Sequence, residues 1–421
     1  MKIYTLNELV HTAREASPFY KKLYASVPRE RFCIQDLPVI DQKEFWEVNT
    51  IDHNQLLTEP QTEGIVFKSG GSTGAPKFSF YAQEEWESLT EAFGKGMVAN
   101  GLKAGDRVGN LFYGGELYGS FLLITKSVEK SRIGAVLFPI MGATALPITA
   151  DIIRECRINV LAGMPTSILN LAEYVTGHEV KGIHIEKVLF AGEFVYPDQR
   201  SYLQKVFPDA EILSLGYATV DAGALAYADP TCGPNEHRVW GDGIIFEIID
   251  EGTEEVITET ERPGRFIATN LTRRLMPVIR YPVGDRGCWT EPPGNPNRKF
   301  RMLGRSEEGA RLGPMTLYID DLRRVLEEFS GRLGILNFQT KLIHREMMDQ
   351  MIIRVVASAP VDLLKKAEPE ILEKLYYEKP MLVELIHGDK IHPPQIEWID
   401  ASQLIYNKRT GKLLRLIDQR L

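Results

Sequence analysis

Apolar residues recur at helical spacing near the start of the chain, where Leu6, Leu9, Val10 and Ala13 share one face before Ser17-Pro18 interrupts it. A second helix is predicted over 83–100, stopping at Gly101. Short apolar runs then alternate with amphipathic segments. Strands are predicted over 107–113, 133–140, 159–162, 187–191 and 211–215, with helices over 116–128, 149–156, 166–175 and 197–206. Such alternation builds a mainly parallel sheet wrapped by helices, and ligands of such sheets collect at the carboxyl ends of the strands. From about Gly233 the apolar period shortens. Runs at 243–249 and 264–269, bounded by Gly and Pro, predict antiparallel strands.

Beyond Gly304 the pattern changes again, to a helix at 318–329, strands at 335–343 and 350–356, and a helix at 363–377. The fold class is therefore α/β. A large N-terminal domain (1–304) combines mainly parallel sheets wrapped by helices with an antiparallel β subdomain. A short charged hinge (305–309) leads to a small, mobile C-terminal α+β domain (310–421).

The chain has 421 residues, enough for two or three domains, with ordinary apolar (44%) and charged (25%) fractions. A net charge of −8 argues against a general nucleic-acid or acidic-membrane binder. Four cysteines with no Cys-x-x-Cys pair fit a reducing compartment. The N-terminus lacks the apolar core of a signal peptide, and no apolar run reaches membrane-spanning length. A cytoplasmic protein is expected, with no nucleic-acid or membrane partner; a homodimer stays open.

The densest chemistry lies at Ser69-Gly70-Gly71-Ser72-Thr73-Gly74-Ala75-Pro76-Lys77, directly after the strand-like Ile65-Val66-Phe67. Glycines let backbone N–H groups approach anionic oxygens, hydroxyls add donors and a lysine adds charge, which suits a polyphosphate. A flexible surface loop would use the same residue types. The common P-loop is excluded, because Lys77 is followed by Phe78 rather than a hydroxyl.

Read with six further segments in order, the loop resembles the adenylate-forming superfamily of acyl-CoA synthetases, most closely its phenylacetate–CoA ligase branch, which includes phenazine-pathway-like ligases. The segments are Gly163-Met164-Pro165, Ala191-Gly192-Glu193, Gly216-Tyr217-Ala218-Thr219-Val220-Asp221, Tyr281-Pro282-Val283-Gly284-Asp285, Gly304-Arg305, and Asn407-Lys408-Arg409-Thr410-Gly411-Lys412. Residues 17–24 also look like the N-terminal helix of that branch.

The resemblance implies an enzyme that joins a carboxylate to the α-phosphate of ATP, releases pyrophosphate, and passes the acyl group from acyl-AMP to a thiol, by default CoA. Lys412 becomes the catalytic residue, a compact charge able to bridge carboxylate and phosphate. Residues 69–74 and Lys77 become the pyrophosphate clamp. Ala191, Gly192 and Glu193 lie against adenine, Glu193 alternatively only positioning its neighbours. Gly216, Tyr217, Ala218 and Thr219 continue the AMP site, with Tyr217 offering a flat face to the base. Asp285 accepts from the ribose hydroxyls, Arg305 contacts ribose or phosphate, Glu307 is the hinge and Asp221 holds magnesium. The acid is expected to be aromatic or otherwise compact and apolar, with 114–119 and 138–142 lining its pocket.

Two departures stand out. Val220 occupies the place of a phosphate-touching Thr, for which Thr219 compensates if the backbone shifts by one, and the magnesium carboxylate is Asp rather than Glu. Cys232, His237 and Cys288 fall where some relatives bind zinc, but a closed zinc site takes four ligands, so zinc is not expected. The alternatives are delivery to an amine or a carrier protein, or a nucleotide-binding homologue with weakened turnover.

Overall fold

The computed structural model describes residues 2–69, 77–193, 195, 197–305, 309–312, 315–346, 348–407 and 411–420. Gly70, Gly71, Ser72, Thr73, Gly74, Glu307 (expected to be the hinge) and residues 408–410 lie outside them. The chain divides into two compact units, Met1–Phe194 with Val206–Leu303, and Val195–Lys205 with Gly304–Leu421.

The first unit opens with helix Leu6–Ala16, which buries Leu9, Val10 and Ala13 as the spacing predicts. Its start is fixed by a capping box. The Thr5 hydroxyl accepts the Glu8 N–H at 3.2 Å and the Glu8 carboxylate accepts the Thr5 N–H at 2.7 Å, a device worth about 1 kcal/mol. Ser17 ends this helix and caps the next, Pro18–Leu23, whose first residue is the proline.

The predicted alternation forms a five-stranded parallel sheet in the order Val136–Pro139, Arg107–Asn110, Val160–Gly163, Lys187–Phe190, Glu211–Ser214. The chain leaves the Arg107–Asn110 strand for one edge and returns on its other side. The topological switch point therefore falls between Arg107–Asn110 and Val160–Gly163, where α/β sheets open a crevice for ligands. One helix starts later than its periodicity predicts, at Ser120 rather than Glu116. Glu116 and Leu117 adopt left-handed φ of 49° and 63°, and a bridge between Gly115 and Tyr118 closes the turn before the helix begins.

The shortened apolar period downstream corresponds to a seven-stranded antiparallel sheet that runs from Ile244–Ile249 at one edge to Tyr217–Thr219 at the other. Two of the apolar cores of the first unit meet at residues 217–220. Tyr217 packs in the core beneath this antiparallel sheet, with Phe266, Tyr281 and Phe300. Its neighbours Ala218 and Val220 pack instead against the core of the parallel sheet, with Val108, Val160 and Leu189.

In the second unit, helices Ile319–Leu333 and Val361–Glu378 and the shorter Pro380–His387 cover a four-stranded sheet. That sheet is the long antiparallel hairpin Ile335–Arg345/Met348–Ala357, flanked by parallel edge strands Gln395–Trp398 and Leu416–Asp418. Residues 195–205, most of helix Pro197–Val206, group with this unit. Among the described residues no helix is long and apolar enough to cross a membrane.

Candidate active site

Three segments far apart in sequence meet within the first unit. Strands Ile65–Ser69 and Lys77–Tyr81 form an antiparallel hairpin in which Ser69 faces Lys77, so residues 70–76 join its two ends. Ser79 on that hairpin donates to Asp221 Oδ1 at 3.2 Å, and Tyr281 donates to Asp221 Oδ2 at 3.2 Å. The Tyr281 hydroxyl in turn accepts from Trp46 Nε1 at 3.2 Å, and the Lys77 ammonium lies 5.4 Å from the centre of the Trp46 ring. Four residues on, buried Asp285 accepts a hydrogen bond from the Tyr217 hydroxyl. Lys77 and Asp221 are thus linked through Trp46, Ser79 and Tyr281, while the Tyr217–Asp285 pair lies on the same two segments, four residues from Asp221 and from Tyr281. The sequence offered no reason to single out Trp46 or Ser79, and Tyr281 appeared only as a motif position.

A fully buried arginine underpins this junction. Arg273 donates to the Asp221 carbonyl at 2.9 Å and to the Phe80 carbonyl at 2.7 Å, and its guanidinium stacks 3.6 Å from the centre of the Tyr81 ring. Tyr81 donates to the Val220 carbonyl at 2.7 Å, a second tie between hairpin and motif. Glu85 sits 3.7 Å from Arg273 and accepts the Arg274 and Leu275 N–H groups at 2.6 and 2.7 Å.

In the segment expected against adenine, Glu193 accepts from the Thr166 N–H at 3.1 Å and the Thr166 hydroxyl at 2.6 Å, capping helix Pro165–Gly177. The Gly163-Met164-Pro165 and Ala191-Gly192-Glu193 segments are therefore joined by a carboxylate at a helix N-terminus, where negative charge is favoured. Gly216 has φ of +116°, and a Cβ there would stand 2.6 Å from the Ala226 carbonyl oxygen, so only glycine fits. A register shift follows between Tyr217 and Ala218. Thr219 accepts the Ala222 N–H at 2.9 Å while keeping its hydroxyl proton to donate, and Val220 turns to the apolar core.

Behind Gly216, Ser214 Oγ accepts the Gly216 N–H at 3.2 Å and bonds His237 Nε2 at 2.8 Å. Burial pushes the His237 imidazole down to about 4. The histidine is neutral in the folded chain at pH 7. Below the ordinary histidine value near 6.5 the unfolded chain takes up a proton that the folded chain refuses, so stability is lost as pH falls from about 6.5 to about 4. The loss reaches about 3 kcal/mol at the acid end. Denaturant unfolding of His237→Gln beside the parent at pH 7.5 and 4.5 should show a smaller acid loss in the variant; equal losses would discard this account.

Of the two segments expected to line the acid pocket, 138–142 packs at the carboxyl end of the sheet against Phe112 and Tyr113, the residues just before 114–119. Gly142 N–H donates to the Phe112 carbonyl at 3.0 Å, and a Cβ on Gly142 would strike the Tyr113 ring at 2.4 Å. Gly119 lies so close to the Phe67 ring that a Cβ would meet it at 2.2 Å, placing residues 114–119 beside the strand that precedes residue 70.

In the second unit Lys412 is half-buried at the base of a hairpin. Its carbonyl accepts the Asn407 N–H at 2.8 Å, and Tyr406 pairs with Leu413. Gly411 has φ of +69°, the left-handed conformation glycine tolerates. Arg305 ends strand Lys299–Arg305, and its side chain is outside the described set.

As a half-buried carboxylate supported by two hydroxyls, Asp221 has the hard oxygen chemistry magnesium prefers. The sulfur and imidazole groups point to separate partners. Cys232 faces Asp229 at 3.6 Å, Cys288 faces Glu261 at 3.9 Å and His237 faces Ser214. Among the described residues no group of three or more His, Cys, Asp and Glu side chains could hold a metal.

No protein-family model matches the chain. A phenylacetate–coenzyme A ligase of Pseudomonas putida is 25% identical over 304 residues, 69% of this chain and 66% of that protein. An indoleacetate–lysine synthetase of Pseudomonas savastanoi is 25% identical over 276 residues, 63% of each. The chain therefore spans just under two thirds of the length of these relatives. Among solved structures, a 2-hydroxyisobutyryl-CoA ligase in the postadenylation state with its acyl-AMP superposes with a TM-score of 0.78 at 18% identity, covering 99% of this chain and 88% of that one. In sequence the chain is a relative of the phenylacetate–CoA ligases, and its fold is that of the adenylate-forming ligases.

Proposed function

We propose that this chain is an AMP-forming carboxylic acid ligase. The carboxylate oxygen attacks the α-phosphorus of ATP, the bond to pyrophosphate breaks, and acyl-AMP forms. A thiol sulfur then attacks the acyl carbonyl, AMP leaves, and the thiol proton passes to solvent. The observation that carries this reading is the junction of Asp285, Tyr217, Asp221 and the hairpin bearing Lys77. On this reading a ribose acceptor, the core tyrosine that holds it, a magnesium carboxylate and a phosphate anchor belong to one region of the first unit.

Within it, Asp285 accepts from ribose hydroxyls and Tyr217 orients that carboxylate. Thr219 donates toward phosphate in place of Val220, a reading favoured by the register shift just before it. Asp221 would hold magnesium, which would supply charge neutralisation for the phosphates. Lys412 brings its ammonium to the reacting carboxylate and α-phosphate, in an environment where positioning and charge outweigh acid–base chemistry. The second unit delivers Lys412 for adenylation and withdraws it for transfer, turning at Glu307. We take the acid as aromatic or compact and apolar, and CoA as the thiol. An amine acceptor is the second reading, favoured by the similarity to an indoleacetate–lysine synthetase.

The decisive assay is acid-dependent exchange of labelled pyrophosphate into ATP across a panel of aryl and short-chain acids, followed by CoA or lysine as acceptor. Exchange with at least one acid is expected; none with any acid sinks the reading. Asp285→Ala should weaken ATP binding by about 2 kcal/mol, the loss of a charged acceptor. Titration calorimetry finding the parent affinity would take Asp285 out of the ribose site.

A further inference from the structure

Gln339 stands in the middle of strand Ile335–Arg345, fully buried although polar. Its neighbours Phe338 and Leu342 belong to the main core of the second unit, whereas Gln339 faces the other way. There it meets the hairpin that ends in Lys412. Its Nε2 donates to the Ile405 carbonyl at 2.7 Å and to the Leu414 carbonyl at 2.8 Å, one on each arm of that hairpin. Its Oε1 accepts the Ile405 N–H at 3.0 Å and Arg354 Nη1 at 3.2 Å. Two donors and two acceptors are all a glutamine amide offers, and all are used.

Around the clamp lies a small separate core of Val356, Ile399, Leu404 and Leu413, the last two flanking the same hairpin. Below it, the Thr340 N–H donates to the Arg415 carbonyl at 2.8 Å, and the chain enters the sheet as Leu416–Asp418. Lys412 thus sits on one of two paired arms that are pinned at one level by a single amide.

We propose that Gln339 is a positioning residue for Lys412, fixing the hairpin so that the ammonium is aimed before substrate arrives. The inference rests on the assignment of Lys412 to adenylation. An apolar side chain of the same length would fill the space yet free both arms. The expected consequence is selective, because transfer of the acyl group from preformed acyl-AMP does not use Lys412.

Gln339→Met is compared with the parent using whichever acid of the panel the parent exchanges fastest, and the chemically prepared adenylate of that acid. Pyrophosphate exchange should fall about 10- to 100-fold, the scale of a misplaced catalytic group. The KM for ATP and the rate of transfer from the prepared adenylate to CoA should stay within about twofold of the parent. Added to Lys412→Ala, Gln339→Met should lower exchange no further, as residues acting as a unit do.

Equal loss of both half-reactions, or losses that multiply with those of Lys412→Ala, would overturn the clamp. Should Gln339→Met fail to fold, Gln339→Glu decides by the same split, since it keeps the acceptor and removes the donor to both arms. Parental exchange in Lys412→Ala itself would instead overturn the lysine assignment, which separates the two failures.

Discussion

Lys412→Ala should lower acid-dependent pyrophosphate exchange by about 10²- to 10³-fold, the usual consequence of removing one pre-aimed charge or donor from a developing anionic centre. Two anions have to meet in the first half-reaction, and no acid–base group is required, so the loss of a positive charge there has few substitutes. Binding of ATP should change little, because the groups proposed for the nucleotide, Asp285, Tyr217 and Asp221, all belong to the other unit. Transfer from a prepared adenylate should also be preserved. Equilibrium dialysis and single-turnover transfer would check both. Parental exchange in the variant would remove Lys412 from the chemistry, and an equal collapse of both half-reactions would mark it as a structural residue.

Arg273→Met carries the largest expected effect on stability, a loss of about 3–5 kcal/mol. The guanidinium is fully buried beside Glu85 and supplies the donors for the Asp221 and Phe80 carbonyls. Methionine fills much of the volume but leaves a buried carboxylate without its cation and two carbonyls without donors. Its neighbour is the control. Arg274 pairs with Glu59 at 3.7 Å, both largely in solvent, and Arg274→Met should cost under about 1 kcal/mol. Urea unfolding of the two variants would show the contrast, and similar small losses for both would refute the buried-staple account.

The fold was legible because its signals are local and repeated. Apolar runs separated by amphipathic segments mark the parallel sheet, and the shorter period near Gly243 marks the antiparallel one. The helix expected at Glu116 failed for an equally local reason. Left-handed Glu116 and Leu117 continue the glycine turn, which amphipathic spacing does not register.

Candidate site residues could be named from the sequence only where motif positions carry characteristic residue types, such as Asp285 and Lys412. Trp46, Ser79 and Arg273 were invisible because their meaning lies in partners 52 to 235 positions away, such as Asp221 for Ser79 and Arg273 and Tyr281 for Trp46. Gln339 was hidden for another reason. A polar residue between Phe338 and Thr340 in a strand ordinarily faces water, and nothing in the alternation reveals that a hairpin covers that face.

The segment from Tyr217 to Val220 has one further consequence. It places Tyr217 in one apolar core and Ala218 and Val220 in the other, so four consecutive residues form the seam between two layers. Neither layer can loosen there without exposing side chains of the other. Unfolding of the first unit is thereby made concerted, and a nucleotide resting on the seam would brace both layers at once.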